Sequence, residues 1–170
     1  MVVFFVCNGG LPYEGKAWGF FMHKKINSHA IFLLPPELMT LYKNNEFILK
    51  VYATKPDNRR YIDPKEGPRH FIDLDTYTSL NAGFIGLNYE AAKELYSQCV
   101  DESLDFGQDG ILPWHCLLMM HQLTEAMKGG HLEDILRISG ELGHYLSDAY
   151  VPLHTTQNYN GQRSGQRGIH

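Results

Sequence analysis

His144 and Asp148 stand four positions apart in the segment Glu141-Leu142-Gly143-His144-Tyr145-Leu146-Ser147-Asp148-Ala149-Tyr150-Val151-Pro152-Leu153-His154. On a helix this spacing puts both side chains on one face, about 5–6 Å apart at Cβ. An imidazole and a carboxylate so placed suit zinc, and a carboxylate with two oxygens can bridge two ions about 3.5–4 Å apart. The same spacing also serves an exposed ion pair worth a few tenths of a kcal/mol. Pro152 ends the helix and turns the chain, so His154 can face the same cleft from outside it. Gly140 and Gly143 would let another helix approach closely, and Leu136, Leu142 and Leu146 would pack around the segment.

The elements that must position these residues read as helices. Apolar residues from Trp18 to Leu34 recur mostly at helical intervals until Pro35-Pro36 stops them, and Pro36-Glu37 suits the first turn of a second helix running to Val51. Residues 54–69, with three prolines and many charges, read as an irregular connection, and residues 70–75 fit either an extended piece or a helical turn. Helices are expected again over 89–100, over 113–127 with Gly129-Gly130 as the stop, and over 132–149. No repeat, heptad series or sustained β alternation interrupts this pattern, so the expected class is all-α.

Composition agrees with one globular domain: 170 residues, 44% hydrophobic and 20% charged, which excludes disordered and fibrous classes. A net charge of −4 argues against a general polyanion binder. Three cysteines, Cys7, Cys99 and Cys116, cannot make a disulfide framework. The apolar run Val2–Cys7 is too short to span a bilayer. It lacks the basic start of a secretory signal, yet Gly15-Lys16-Ala17 fits a cleavage site. Residues 1–17 are therefore read as a signal-peptide remnant, with a native arm as the alternative, and the location as secreted or periplasmic. The Gly- and Gln-rich end, Gly161 to His170, reads as a loop with no closing element, and the domain is expected to be C-terminally incomplete.

The pattern His144-x-x-x-Asp148-x-x-x-x-x-His154, followed by Gly168-Ile169-His170, resembles the metal-binding segment of the zinc-dependent phospholipase C superfamily, which includes the fungal single-strand-specific nucleases. The resemblance covers most of residues 18–170 in motif order and implies a multi-helix phospholipase C/nuclease-type fold. It implies that Trp18, as the mature N-terminus, binds zinc through its α-amino group and carbonyl. The next ligand is His23. His29 in Asn27-Ser28-His29 is its rival, six positions on and about 120° away around one helix. Asp57 and His70, thirteen apart, resemble the next family pair, with Asp63 as an alternative on chemistry alone.

By the same resemblance, Asp57, His70 and His144 bind one zinc and Asp148 bridges to the zinc of Trp18 and His23. His154 and His170 hold a third, whose family acidic ligand lies beyond His170. Asp73 becomes an acceptor that orients a ligand imidazole, although an ordinary solvated carboxylate fits as well. The implied activity is hydrolysis of phosphodiesters by a zinc-bridged water, with Asp57 orienting it or accepting its proton and Asp148 holding the zinc pair. The substrate would be a phospholipid or a single-stranded nucleic acid. The alternative is a non-catalytic zinc-binding or interaction domain of the same fold. His115 at a helix start is assigned to packing or capping, His121 and His131 to the surface, and Cys99 and Cys116 to the core.

Overall fold

The computed structural model describes residues 19–75, Glu90 and residues 109–169. Among these residues every regular element is helical, as the sequence pattern predicts. They are α1 (Gly19–Ala30), α2 (Pro36–Asn44), α3 (Glu46–Tyr52), α4 (Lys55–Arg59), α5 (Leu112–Gly129) and α6 (Leu132–Ala149), with 3-10 turns at Ile31–Leu33, Gly67–His70 and Pro152–Thr155. Trp18, His170, the 1–17 segment, Cys99 and the helix expected over 89–100, apart from helical Glu90, lie outside the described residues.

α6 is the central helix, packed against α1, α3 and α5. Its buried positions run nearly around its circumference in the second half: Gly140, Glu141, Leu142, His144, Tyr145, Ser147 and Asp148. A helix covered on several sides is normally apolar all round. Here the apolar part is carried by Ile135, Leu136, Ile138, Leu142 and Tyr145, which join Ile31, Tyr42, Leu49 and the α5 residues Leu112, Cys116, Met119 and Leu123 in one core. Burial of each such Leu or Ile stabilises by about 1.5–3 kcal/mol. Leu146, expected to pack around the helix, is instead exposed.

Two glycines set how closely the neighbours approach α6. A Cβ at Gly143 would sit 2.0 Å from Asn27 Oδ1 of α1, and one at Gly140 would sit 2.5 Å from Tyr52 Cβ of α3. Asn27 uses that proximity to donate from Nδ2 to the Gly140 carbonyl at 2.8 Å.

Two boundaries differ from the sequence expectation. The single helix expected over residues 36–51 is divided at Asn45, whose Nδ2 donates to the Leu41 carbonyl at 2.8 Å and whose backbone leaves helical geometry (φ −113°, ψ 18°). A short amide side chain competes with the helix ladder for its carbonyls, and here it wins. The connection read as irregular over residues 54–69 contains α4 and the Gly67–His70 turn, each opening with a proline in its first turn. His70 closes that turn and Phe71 takes extended backbone (φ −149°, ψ 171°).

Candidate metal centre

Five of the residues singled out from the sequence come together. His23 lies on α1, Asp57 in the first turn of α4, His70 at the end of its 3-10 turn, and His144 and Asp148 one turn apart on α6. Two overlapping sets, His23 with His144 and Asp148, and Asp57 with His70 and His144, each bring their ligand atoms within 4.8 Å of one another. These buried His/Asp groups could hold a metal ion. His29, the rival of His23, is exposed on the same helix, and Asp63, the rival of Asp57, accepts the Lys65 backbone N–H at 2.9 Å in a local turn.

Asp148 is the centre of the arrangement. Its Oδ2 is 2.9 Å from His70 Nδ1 and 3.3 Å from His144 Nε2, while its Oδ1 is 3.6 Å from His23 Nε2. The two oxygens of one carboxylate thus face different imidazoles. His70 Nδ1 is also 3.1 Å from His144 Nε2, and Asp57 Oδ1 is 3.9 Å from that same His144 nitrogen. The His23 and His144 rings stack with centroids 3.8 Å apart. Asp57 is the most accessible of the five, its side chain 16% exposed against 3% or less for the others.

The imidazoles of His23, His144 and His154 each hydrogen-bond through an outer nitrogen. His144 Nδ1 donates to the carbonyl of Ala53 at 2.8 Å, a carbonyl left free at the C-terminal end of α3. His23 Nδ1 is 2.7 Å from Ser147 Oγ, which donates its own proton to the His144 carbonyl at 2.7 Å and so accepts from the ring. His154 Nδ1 donates to the His70 carbonyl at 2.6 Å. His70 Nε2 is the exception: it lies 3.4 Å from Glu66 Oε1, at ion-pair distance but without hydrogen-bond geometry. Outer acceptors of this kind set the tautomer and direction of metal-binding histidines.

Charge follows the geometry. Burial, reinforced by the neighbouring His144, pushes His23 down to about 4, so it is neutral at neutral pH with its Nε2 lone pair directed at Asp148. Burial alone would raise Asp148, but the His144 and His70 imidazoles against its oxygens hold its carboxyl well below the usual range. Burial would lower His70, and its contacts with Asp148 and Glu66 outweigh that and raise it. The raised His70 thus faces the same carboxylate that a bound cation would neutralise.

His154 is buried beside this cluster, in the Pro152–Thr155 turn, and lines a cleft of about 350 Å³ with Arg60, His70, Phe71, Asp73 and Tyr159. It belongs to neither of the two ligand sets. Asp73, expected to orient a ligand imidazole, lines this cleft instead, while Ser147, Ala53 and the His70 carbonyl meet the outer nitrogens. Burial, and then the charges of Asp75 and Asp109, push the Asp73 carboxyl up to about 6. His115 packs edge-on against Tyr145, ring centroids 4.5 Å apart, and burial lowers it to about 3, while His121 and His131 are exposed. Burial pushes the Cys116 thiol up to about 12.

Sequence reasoning passed over a second buried layer. Arg59 makes a two-point contact with Glu141 (Nη1 to Oε1 2.8 Å, Nη2 to Oε2 2.9 Å), reaches Glu66 (Nε to Oε2 3.2 Å) and donates to Tyr145 Oη at 3.1 Å. Arg69 adds a 2.7 Å contact to Glu66 Oε2, and the Tyr145 hydroxyl donates to Glu66 Oε1. The available signal was the spacing of Glu66 and His70, four apart. Only folding brings Arg59 and Glu141, 82 positions apart, into contact.

No protein-family model, no curated protein and no solved structure matches the chain. None of the described helices is long and apolar enough to cross a membrane.

Proposed function

We propose that this chain is a zinc-dependent phosphodiesterase whose centre is the His23/Asp57/His70/His144/Asp148 cluster. The observation that carries the reading is the division of Asp148, one oxygen toward His23 and the other toward His70 and His144. A carboxylate so divided suits two ions, one on each side. The donor set fits zinc in kind, being imidazole and carboxylate, and in spacing. Ligand atoms around a tetrahedral zinc at about 2.0–2.1 Å stand about 3.3–3.4 Å from one another. The separations here are 2.9 Å for His70–Asp148, 3.1 Å for His70–His144, 3.3 Å for His144–Asp148 and 3.9 Å for His144–Asp57.

Asp57, His70 and His144 would hold one ion, His23 the other, and Asp148 both. When bound, zinc supplies a water ionised near neutral pH and Lewis-acid stabilisation of phosphoryl oxygens. The chain's own residues do the rest. Asp57, the accessible carboxylate at the edge of the cluster, is placed to take a proton from an attacking water. Arg60, whose Nη1 is 4.0 Å from Asp57 Oδ1, lines the cleft beside His70 and offers a phosphate its guanidinium. Phe71 and Tyr159 give that cleft apolar walls for the remainder of the substrate. His154 at the cleft, with His170, would hold a third ion. On the same reading the chain is exported, and a mature form starting at Trp18 completes the His23 side with its free amino group.

The test is metal analysis and hydrolysis assays on the full chain and on a form starting at Trp18, with single-stranded DNA and a phosphatidylcholine dispersion as parallel substrates. Bound zinc with chelator-sensitive cleavage of either substrate is expected. No bound zinc and no metal-dependent cleavage would sink the proposal, and full zinc occupancy without turnover would make the chain a zinc-binding domain that is not an enzyme.

A further inference from the structure

The imidazoles of the cluster do not all turn the same nitrogen inward. His23 and His144 present Nε2 to Asp148 and anchor Nδ1 on Ser147 Oγ and on the Ala53 carbonyl. His70 is reversed: Nδ1 faces Asp148 Oδ2 and His144 Nε2, and Nε2 lies on the outer side, buried, without a hydrogen bond and 3.4 Å from the Glu66 Oε1 carboxylate oxygen. A neutral imidazole carries its proton on one nitrogen and its lone pair on the other, and the acceptor that meets the first decides where the second is available.

Glu66 is built for that task. It is fully buried, and a buried carboxylate persists as an anion only when its charge is matched. Arg59 and Arg69 hold its Oε2, and the Tyr145 hydroxyl holds Oε1, the oxygen nearest His70 Nε2. Glu66 and Glu141 together balance Arg59 and Arg69, so the layer is neutral in sum. Tyr145 stands between His144 and Asp148 on α6, so one helix supplies both the ligands and the brace.

We propose that Glu66 is a positioning residue that fixes His70 as its Nε2–H tautomer and so makes Nδ1 the metal donor. This rests on the reading of the cluster as a zinc centre. Loss of an outer partner of a ligating histidine typically lowers metal affinity about 10–100-fold. Two measurements on the full chain, with zinc alone as the probe, test it. The first is long-range nitrogen–proton NMR of the zinc-loaded wild type, with His70 assigned by its loss in His70→Gln. His70 is expected to bind through Nδ1 and carry its proton on Nε2, opposite to His23 and His144. The second is calorimetric zinc titration of Glu66→Gln and Glu141→Gln. The first variant should bind about 10–100-fold more weakly. The second, which loses an Arg59 partner but does not touch His70, should bind like the wild type.

Coordination of His70 through Nε2, or wild-type affinity in Glu66→Gln, overturns the assignment while leaving the zinc centre standing. Absence of zinc binding in the wild type overturns the zinc centre and this inference with it. Should Glu66→Gln fail to fold, the wild-type tautomer decides by itself.

Discussion

Replacing Gly143 by alanine should loosen the packing of α1 on α6 and weaken the His23 side of the cluster. The added Cβ would lie 2.0 Å from Asn27 Oδ1 and 2.9 Å from Asn27 Cγ, far inside van der Waals contact. Asn27 cannot simply swing away, because it is buried and its Nδ2 donates to the Gly140 carbonyl at 2.8 Å. Overpacking of this kind costs about 1–3 kcal/mol. Loss of the Asn27 hydrogen bond adds about 1 kcal/mol. The better helix propensity of alanine returns about 1 kcal/mol. The net is a destabilisation of about 1–3 kcal/mol, which for a chain of this size lowers Tm by about 2–4 °C per kcal/mol. His23 stands four residues before Asn27, on the same face of α1, so its contact with Ser147 should be displaced as well. Thermal unfolding by circular dichroism, with zinc titration of the same variant, reads both effects. Gly143→Ala in an Asn27→Ala background should cost less than in the wild type, since contacting residues couple. A Tm for Gly143→Ala equal to or above the wild type would refute this account of the helix contact.

Further outcomes follow from the same geometry. Zinc at 100 times its Kd should stabilise the protein by about 2.7 kcal/mol, and EDTA should reverse the gain in a thermal-shift assay; no shift would speak against a site in the folded chain. Asp148→Asn should abolish zinc binding on both sides of the cluster while Asp57→Asn weakens one, a contrast checked by metal stoichiometry. In the metal-free protein His23 titrates at about 4 against 6.5 when unfolded, so the unfolded chain takes up more protons between those values. Stability should rise with pH through that window and fall as pH drops toward 4, by roughly 3 kcal/mol from this residue. Urea unfolding of chelator-treated wild type and His23→Gln across that range checks it; identical pH dependence in the two proteins would refute the assignment. His70, raised in the fold, acts oppositely, its contribution being full below its unfolded pKa and lost as pH rises through its folded one.

Much of the helical framework was legible in the chain because local rules govern it. Proline at the first turn of α2, the left-handed Gly130 after α5 (φ 68°) and the apolar spacing of α6 act over a few residues. The division at Asn45 was missed because an amide competing for one carbonyl leaves no trace in hydrophobic spacing. The His144–Asp148 pair was readable for the same local reason: helical geometry fixes where two side chains four apart point. The sequence by itself could not separate a metal centre from an exposed ion pair, because burial is a property of what packs around α6. The tertiary structure decided that Asp148 is 2% exposed, that His23 and His70 reach its two oxygens from different elements, and that His154 hangs on the His70 carbonyl. It also decided that His70 turns Nδ1 toward Asp148 and that Glu66, Arg59, Arg69 and Tyr145 gather on its other side, residues whose meeting depends on contacts as far as 86 positions apart. Spacing sets direction within a helix. Only the packing of separate elements sets what a side chain meets there.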